Sequence, residues 1–143
     1  MSALDDIKFD EGLRLHAYPD PLTGAEPWTI GYGNCGPDIG PDTIWTQEQA
    51  DAALASRVTA ITAELLKALP WLGAVPEPRQ AVFVNMVYQL GFSGFLAFHR
   101  AISYSARGLW QLAGAELMAS QWARQTPERA ARRTEQLISG VRA

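Results

Sequence analysis

The chain has 143 residues, of which 48% are hydrophobic and 19% are charged, and its net charge is -3. This composition suits one domain or two small lobes, and it excludes a disordered chain or a coiled coil. No apolar run approaches the roughly 20 residues of a membrane span, and the acidic N-terminus lacks the positive charge of a secretory signal. The single cysteine, Cys35, excludes an intrachain disulfide. We therefore expect a cytosolic, soluble protein without stable membrane association.

Charge is distributed unevenly along the chain. Residues 1–51 contain ten acidic and two basic residues, whereas residues 120–143 contain five arginines and two glutamates. A nucleic-acid-binding protein needs a concentrated basic surface, and this C-terminal cluster is modest. We expect these arginines to solvate a helix and to pair with the acidic end of the chain, and we expect no nucleic-acid partner.

The first predicted element is a short helix that Ser2 can cap and that Gly12 can end. Leu4, Ile7 and Glu11 recur at intervals of three and four, so they lie on one stripe of this helix. Glu11 therefore combines a carboxyl group with a position on the apolar side, where burial favours the protonated form.

Two short strands are predicted next, at residues 15–18 and 28–32, because their residue pattern is typical of β-structure. The intervening segment, residues 19–27, is rich in turn-forming residues and contains Asp20 between two prolines. The pattern therefore predicts a hairpin or small sheet, with a solvated Asp20 in its turn and Thr29 in its second strand. Residues 36–41 are irregular and are expected to close this lobe.

The remainder of the chain is predicted to be helical. Thr46 and Gln49 form a capping box, and the apolar face that follows ends before Pro70. Further helices are expected from Pro78 to Gly91, across residues 93–102 and across residues 109–120. Thr126, Pro127 and Glu128 form a helix start signal, and this last helix should end at Gly140. The apolar face of the long helix consists of Ala50, Leu54, Val58, Ile61 and Leu65.

This element order predicts an α+β fold that is mostly α, within a single domain. We expect a small β-containing lobe at about residues 12–45 and an interlobe helix at about residues 47–69. The helical lobe should comprise about residues 77–143 together with residues 1–11. A cleft between the lobes is then the expected place for a ligand site.

The candidate chemistry comes from two carboxyl groups in unlike surroundings. A carboxyl group on an apolar helix face suits a general acid, and a solvated carboxylate suits a base, which together are the apparatus of glycoside hydrolysis. Thr29 has a hydroxyl group that can orient a water molecule. Taken singly, Glu11 would more often form a salt bridge and Asp20 would more often be a turn residue.

Three segments in combination resemble the phage lysozymes of glycoside hydrolase family 24. That family has Glu, then eight residues, then Asp or Cys, then typically five residues, then Thr. The matching segments cover nearly the whole chain in the family's order. They are Glu11-Gly12-x-x-x-x-Ala17-Tyr18-x-Asp20 followed by Trp28-Thr29-Ile30-Gly31-Tyr32-Gly33, then Asn85-Met86-Val87-Tyr88-Gln89-Leu90-Gly91, and finally Trp122-x-x-Gln125-Thr126-Pro127-x-Arg129-Ala130.

The resemblance implies a role for each catalytic position. Glu11 would protonate the glycosidic oxygen, and Asp20 would stabilise positive charge in the transition state. Asp20 and Thr29 would together position the attacking water, with inversion at the sugar carbon. Arg129 would pair with Glu11.

The resemblance also implies the substrate, which is the β-1,4 bond between N-acetylmuramic acid and N-acetylglucosamine in bacterial peptidoglycan. Tyr88, Cys35 and Glu116 align with positions that bind this substrate, although Tyr88 is equally compatible with a packing role. No cofactor is implied, and the two histidines lack the spacing of a metal site. We expect a monomer that stays in the host cytoplasm until it reaches the periplasm or cell wall, either with a holin or by delivery from a virion or secretion apparatus.

Two alternative functions remain open from the sequence. A lytic transglycosylase cleaves the same bond but needs no positioned water, so Asp20 and Thr29 favour hydrolysis. A catalytically inactive module that binds the cell wall, or that belongs to a virion, is the second alternative.

Three features depart from the family pattern. Eight residues separate Asp20 from Thr29, which is an insertion of three that a longer hairpin tip could absorb. Asn34 stands where many relatives have histidine. The net charge of -3 contrasts with the basic phage enzymes, so slower attack on intact anionic walls could follow.

Overall fold

A computed structural model describes residues 1–142 of the chain. In these residues helices dominate and the strands form one small antiparallel sheet, as the predicted α+β class requires. No helix in this part of the chain is long and apolar enough to cross a membrane. The elements are α1 (Ala3–Glu11), β1 (Arg14–Tyr18), β2 (Thr29–Gly31), β3 (Asn34–Cys35), α2 (Gln47–Ala68), a 3-10 helix (Pro70–Ala74), α3 (Glu77–Leu90), α4 (Phe92–Leu96), α5 (His99–Ala106), α6 (Trp110–Met118), α7 (Gln121–Gln125) and α8 (Pro127–Ser139).

The chain divides into two compact units, and the boundary falls within α2. The first unit comprises Met1 and Ala3–Thr59, and the second comprises Ser2 and the described residues from Ala60 onward. Helix α1 therefore lies in the same compact unit as the sheet. Within this unit the Lys8 ammonium group lies 3.3 Å from Asp51 Oδ1, and the Glu11 carboxyl group lies beside Gly33.

The sheet has the order β1-β2-β3, and both pairs of strands are antiparallel. Residue Arg14 pairs with Gly31 and Tyr18 pairs with Thr29, with an irregularity in the register between them. A segment around Ile44 covers the free edge of β1, because Ala17 N donates to Thr43 O at 3.0 Å and Trp45 N donates to Leu15 O at 2.8 Å. The predicted hairpin is thus part of a three-stranded sheet. The third strand, β3, was not predicted.

Glycine is required at position 31 for two independent reasons. Its φ angle is +67°, in the left-handed region that L side chains rarely adopt. A Cβ atom at this position would also lie 2.8 Å from ring carbon Cζ3 of Trp45 and 3.0 Å from Asn34 Oδ1. The indole of Trp45 therefore rests directly on the glycine backbone at the end of β2.

A polar cluster connects α1, the β2–β3 turn and the start of α2. Asp51 Oδ1 accepts hydrogen bonds from Tyr32 Oη at 3.0 Å and from Gln47 Nε2 at 2.9 Å, and Lys8 Nζ lies 3.3 Å away. The hydrogen bond from Gln47, followed by those from Tyr32 and Lys8, holds the pKa of Asp51 below its usual range. This cluster was not predicted, because its members are far apart in the sequence.

The start of α2 confirms the predicted capping box. Gln49 N donates to Thr46 Oγ1 at 3.1 Å, and Thr46 N donates to Gln49 Oε1 at 2.8 Å. These two bonds satisfy backbone groups that a helix N-terminus otherwise leaves unpaired. The predicted apolar face is largely buried, with Val58 half-buried and the others, Ala50, Leu54, Ile61 and Leu65, buried.

The second unit packs its helices around buried aromatic and aliphatic side chains. The ring of Phe83 in α3 makes edge-on contacts with Trp71 and Phe95, at centroid distances of 6.1 and 5.5 Å. Arg79 of α3 reaches the end of α8, where its guanidinium donates to the carbonyl oxygens of Leu137 and Ile138. These are carbonyl groups that a helix end leaves without intrahelical partners, so Arg79 caps α8 from a neighbouring helix.

Several helix boundaries differ from the predicted ones. Residues 93–102 form parts of two helices rather than one, because Phe98 leaves the helical conformation with ψ 57° and its ring lies edge-on to Trp122. The 3-10 helix and α7 were not predicted. Pro127 does begin α8, but the Thr126 side chain does not cap it, and the Thr126 hydroxyl instead donates to Trp122 O at 2.9 Å. The predicted end of α8 at Gly140 is confirmed.

Replacing Gly31 with alanine is expected to destabilise the protein by about 2–4 kcal/mol. The added methyl group must adopt a left-handed conformation and displace the indole of Trp45. Urea unfolding of wild type and Gly31→Ala measures the difference. Gly40→Ala is the matched control, because a Cβ atom there meets nothing within 4 Å. Equal destabilisation by both variants would contradict the steric explanation.

The carboxyl group of Asp51 is expected to contribute to stability at neutral pH and to lose that contribution in acid. Its folded-state pKa lies below the unfolded value of about 3.9, so the folded protein binds fewer protons at this group. The contribution is therefore present above the unfolded value and declines as pH falls through the folded one. Asp51→Asn should be less stable than wild type at pH 7, and the difference should shrink below about pH 4. Thermal unfolding from pH 7 to pH 2 tests this, and a pH-independent difference would contradict it.

Candidate active site

Glu11 ends α1, and its carboxyl group lies against the turn between β2 and β3. A Cβ atom on Gly33 would be 3.6 Å from Glu11 Oε2, and Gly33 has a φ angle of +91°. Glycine at this position thus meets the conformational requirement of the turn and gives the carboxyl group close access to the backbone. Residue Glu11 is half-buried, as its position on the predicted apolar stripe suggested.

Asp20 organises the loop between β1 and β2. Its amide donates to Ala25 O at 2.9 Å, its carbonyl accepts from Gly24 N at 2.8 Å, and its carboxylate Oδ1 accepts from Leu22 N at 2.7 Å. Within residues 1–142, the Asp20 side chain makes no other hydrogen bond. One carboxylate oxygen is therefore fixed by the loop and the other is open to a ligand or water.

The rest of the loop is closed by its own hydrogen bonds. Thr23 Oγ1 donates to Glu26 O at 3.0 Å and accepts from Ala25 N at 3.2 Å, and the Glu26–Pro27 peptide bond is cis. The eight residues between Asp20 and Thr29 therefore form an ordered turn, as expected for an insertion at the hairpin tip.

Thr29 begins β2 and lies in the middle of a row of three residues across the sheet. It pairs with Tyr18 of β1 on one side and with Cys35 of β3 on the other. Residues directly opposite each other in antiparallel strands direct their side chains to the same face. The half-buried Thr29 hydroxyl makes no side-chain hydrogen bond to the described residues, and the Cys35 thiol is exposed and free.

Glu11, Asp20, Thr29 and Cys35 thus all belong to the first compact unit. The other predicted site residues, which are Tyr88, Glu116 and Arg129, belong to the second unit. The predicted pairing of Arg129 with Glu11 joins the two units and stays a prediction.

Tyr88, a predicted substrate-binding residue, is buried in this structure. The residue lies in α3 and only 3% of its surface is exposed. This burial agrees with the packing alternative, and the substrate-binding role of Tyr88 stays a prediction. The sequence predicts a helix here, but how deeply each of its residues is buried depends on the elements that pack against it.

Arg129 connects the two helical sequence signatures within the second unit. Its side chain is buried, and its Nε donates to Asn85 Oδ1 at 3.1 Å. One turn further along α3, Gln89 Oε1 accepts a 2.8 Å hydrogen bond from Trp122 Nε1. The two signatures are therefore hydrogen-bonded to each other, which explains why both occur together as a structural requirement of this unit.

Glu116 lies on α6 beside a surface groove of about 460 Å³ that α5 also lines. Its carboxylate is 3.8 Å from the guanidinium of Arg100, an exposed pair that contributes little to stability. The side chain of Glu116 is accessible, so its predicted binding role stays a prediction. Among residues 1–142, no group of three or more histidine, cysteine, aspartate or glutamate side chains could hold a metal ion.

Comparison with known proteins places these residues in a family context. The family model for phage lysozyme matches residues 8–136, a range that includes every predicted site residue. An endolysin of Bacillus phage PZA is 34% identical over 110 residues, which are 77% of this chain and 41% of that protein. This chain thus spans less than half the length of that endolysin. A probable T4-type lysozyme 1 of Dictyostelium discoideum is 26% identical over 157 aligned positions, covering 92% of this chain and 90% of that protein.

The family match extends over most of the chain, and the fold combines a small antiparallel sheet with helices in the order that the resemblance implied. The chain therefore belongs to the phage lysozyme family.

Proposed function

We propose that this protein is a lysozyme-type cell-wall hydrolase whose substrate is bacterial peptidoglycan. The observation that carries the proposal is the proximity of the Glu11 carboxyl group to Gly33, in the same unit that contains Asp20 and Thr29. Membership of the phage lysozyme family, and the similarity to an endolysin and to a probable T4-type lysozyme, support the same class of activity.

The bond cleaved is proposed to be the β-1,4 bond between N-acetylmuramic acid and N-acetylglucosamine. Glu11 acts as the general acid that protonates the oxygen of the leaving sugar. Its half-buried position at the end of α1 limits the water around it, and the turn at Gly33 leaves space beside its carboxyl group. Proton donation at this oxygen lets the bond break as positive charge develops on the sugar ring.

Asp20 and Thr29 are proposed to hold the attacking water. The loop fixes one oxygen of the Asp20 carboxylate through Leu22 N, so the other oxygen can accept a proton from water while it stabilises the developing charge. The hydroxyl group of Thr29 can orient the same water by hydrogen bonding. Attack from the face opposite the leaving group inverts the configuration at the sugar carbon.

We further propose that the protein is a monomer, that it needs no cofactor, and that it reaches the cell wall through a holin or by delivery from a virion or secretion apparatus. None of these proposals alters the chemistry assigned to Glu11, Asp20 and Thr29.

Replacing Glu11 with glutamine is expected to lower the rate of reducing-end release from purified peptidoglycan by about 10²–10⁴-fold. Glutamine preserves the shape of the side chain but cannot donate the proton. Glu135→Gln is the matched control, because Glu135 is an exposed carboxylate on α8 outside the site. Thermal unfolding confirms that both variants fold. Equal rates for Glu11→Gln and wild type would contradict the proposed function.

Product analysis is expected to show hydrolysis with inversion. Mass spectrometry should find muropeptides that have gained one water, with isotope incorporated from ¹⁸O-labelled water, because the proposed step adds water to the sugar carbon. Proton NMR at early times should show the new reducing end in the α configuration. An anhydro sugar would instead identify a lytic transglycosylase, and a β product would contradict the role assigned to Asp20.

A further inference from the structure

A groove on the exposed side of α5 is formed by residues that have no part in the proposed reaction. It lies in the second unit and has a volume of about 460 Å³. We call it the α5 groove, and its lining consists of His99, Arg100, Ser103, Tyr104 and Arg107. Positions 99, 103 and 107 are four residues apart, as are positions 100 and 104, so the lining forms two adjacent rows on one helix face.

Every side chain of the lining carries a hydrogen-bond donor, and none carries a carboxylate. The two arginines add permanent positive charge, while His99, Ser103 and Tyr104 add ring N–H and hydroxyl groups. Within residues 1–142, the side chains of these last three residues make no hydrogen bond to another residue. Their donors are therefore available to a ligand in the groove.

The positive charge of the two arginines is largely uncompensated. The side chain of Arg100 is 80% exposed, and its guanidinium lies 3.8 Å from the Glu116 carboxylate, beyond hydrogen-bond distance. Arg107 forms no ion pair within the described part of the chain. Its guanidinium lies over the Tyr104 ring, 5.4 Å from the centroid, a contact that orients the group and leaves its charge in place.

The sequence around α5 contains no acidic residue that could neutralise this groove. Residues 78–115 include three arginines and no aspartate or glutamate, although the whole chain has 15 acidic residues and a net charge of -3. Arg79, the third arginine, is engaged with the end of α8 and with the Trp110 ring. The α5 groove is therefore a local positive surface on an acidic protein.

We propose that the α5 groove binds phosphodiester groups of a phosphate-bearing polymer in the bacterial cell wall. A guanidinium group can donate two parallel N–H bonds to phosphate oxygens, and hydroxyl and imidazole donors can complete the contacts. The inference rests on the proposed function for the location of the polymer. It assigns retention on the wall to the α5 groove and leaves bond cleavage with Glu11, Asp20 and Thr29.

Two other phosphate-bearing surfaces match this lining less well. Proteins that lie on a membrane combine basic residues with large apolar side chains that insert, and the lining contains no aliphatic residue. Single-stranded nucleic acid is bound by aromatic rings on which bases stack, whereas the Tyr104 ring is already covered on one side by Arg107. A polymer of glycerol phosphate units offers phosphates without acyl chains or bases, so it needs neither feature.

Calorimetric titration of the full chain with a short glycerol phosphate oligomer tests the site directly. At low ionic strength, Arg107→Gln and Arg100→Gln are each expected to weaken binding about tenfold, and Arg107→Lys should keep part of the affinity. Arg124→Gln is the matched control, because it removes an exposed arginine from the same unit and leaves the lining intact. Equal weakening by Arg124→Gln and Arg107→Gln would overturn the proposal, since net charge alone would then explain binding.

Comparison of phosphate sources tests which polymer the groove accepts. We expect the glycerol phosphate oligomer to bind more tightly than a single-stranded oligodeoxynucleotide with the same number of phosphates or vesicles of phosphatidylglycerol. Tighter binding to either of these would overturn the assignment to a wall polymer. In the Glu11→Gln background, walls stripped of phosphate polymer with hydrofluoric acid should retain less protein than untreated walls, and equal retention would also overturn it.

The outcomes separate this inference from the proposed function. If folded wild type releases reducing ends from peptidoglycan but does not bind the glycerol phosphate oligomer, the groove is refuted and the proposed function remains. If the oligomer binds and Glu11→Gln retains the full rate on peptidoglycan, the proposed function is refuted and the groove remains a phosphate site. Circular dichroism of each variant confirms that a loss of binding is not a loss of fold.

Discussion

The packing of the first unit depends on the turn that follows β2, because positions 31 and 33 are both glycine. Gly31 and Gly33 both have positive φ angles, and each is approached by a different group. The Trp45 indole rests on Gly31 and the Glu11 carboxyl group lies beside Gly33. A Cβ atom at Gly31 would displace the indole that packs on the sheet. Any side chain at Gly33 would be strained in the backbone conformation beside the proposed acid.

Short-range hydrogen bonds hold the Asp20 loop, whereas long-range contacts attach α1 to α2. The Asp20 loop is held by hydrogen bonds between residues no more than five positions apart, so a length change at its tip alters little elsewhere. The attachment of α1 to α2 depends instead on Lys8, Tyr32, Gln47 and Asp51, which span more than forty positions. The position of Glu11 therefore depends on contacts that form only when the unit has folded.

The second unit shows why a sequence signature need not mark a binding surface. Asn85 and Gln89 lie on one face of α3, where they bond Arg129 and Trp122 of the C-terminal signature. Loss of either partner leaves a buried polar group unsatisfied and lowers the stability of the fold. This is a sufficient structural reason for the two motifs to occur together. Tyr88 lies in the same helix and is also buried.

The sequence by itself determined the features that depend on neighbouring residues: the capping box at Thr46, the glycine that ends α8, the turn-rich hairpin and the motif order of the family. Only the tertiary structure decided that a third strand follows Gly33, that α1 lies in the same unit as the sheet, and how deeply Tyr88 is buried. The reason is physical. Caps and turns are set by hydrogen bonds within a few residues, whereas burial and the surroundings of a carboxyl group depend on segments that only the folded chain brings together.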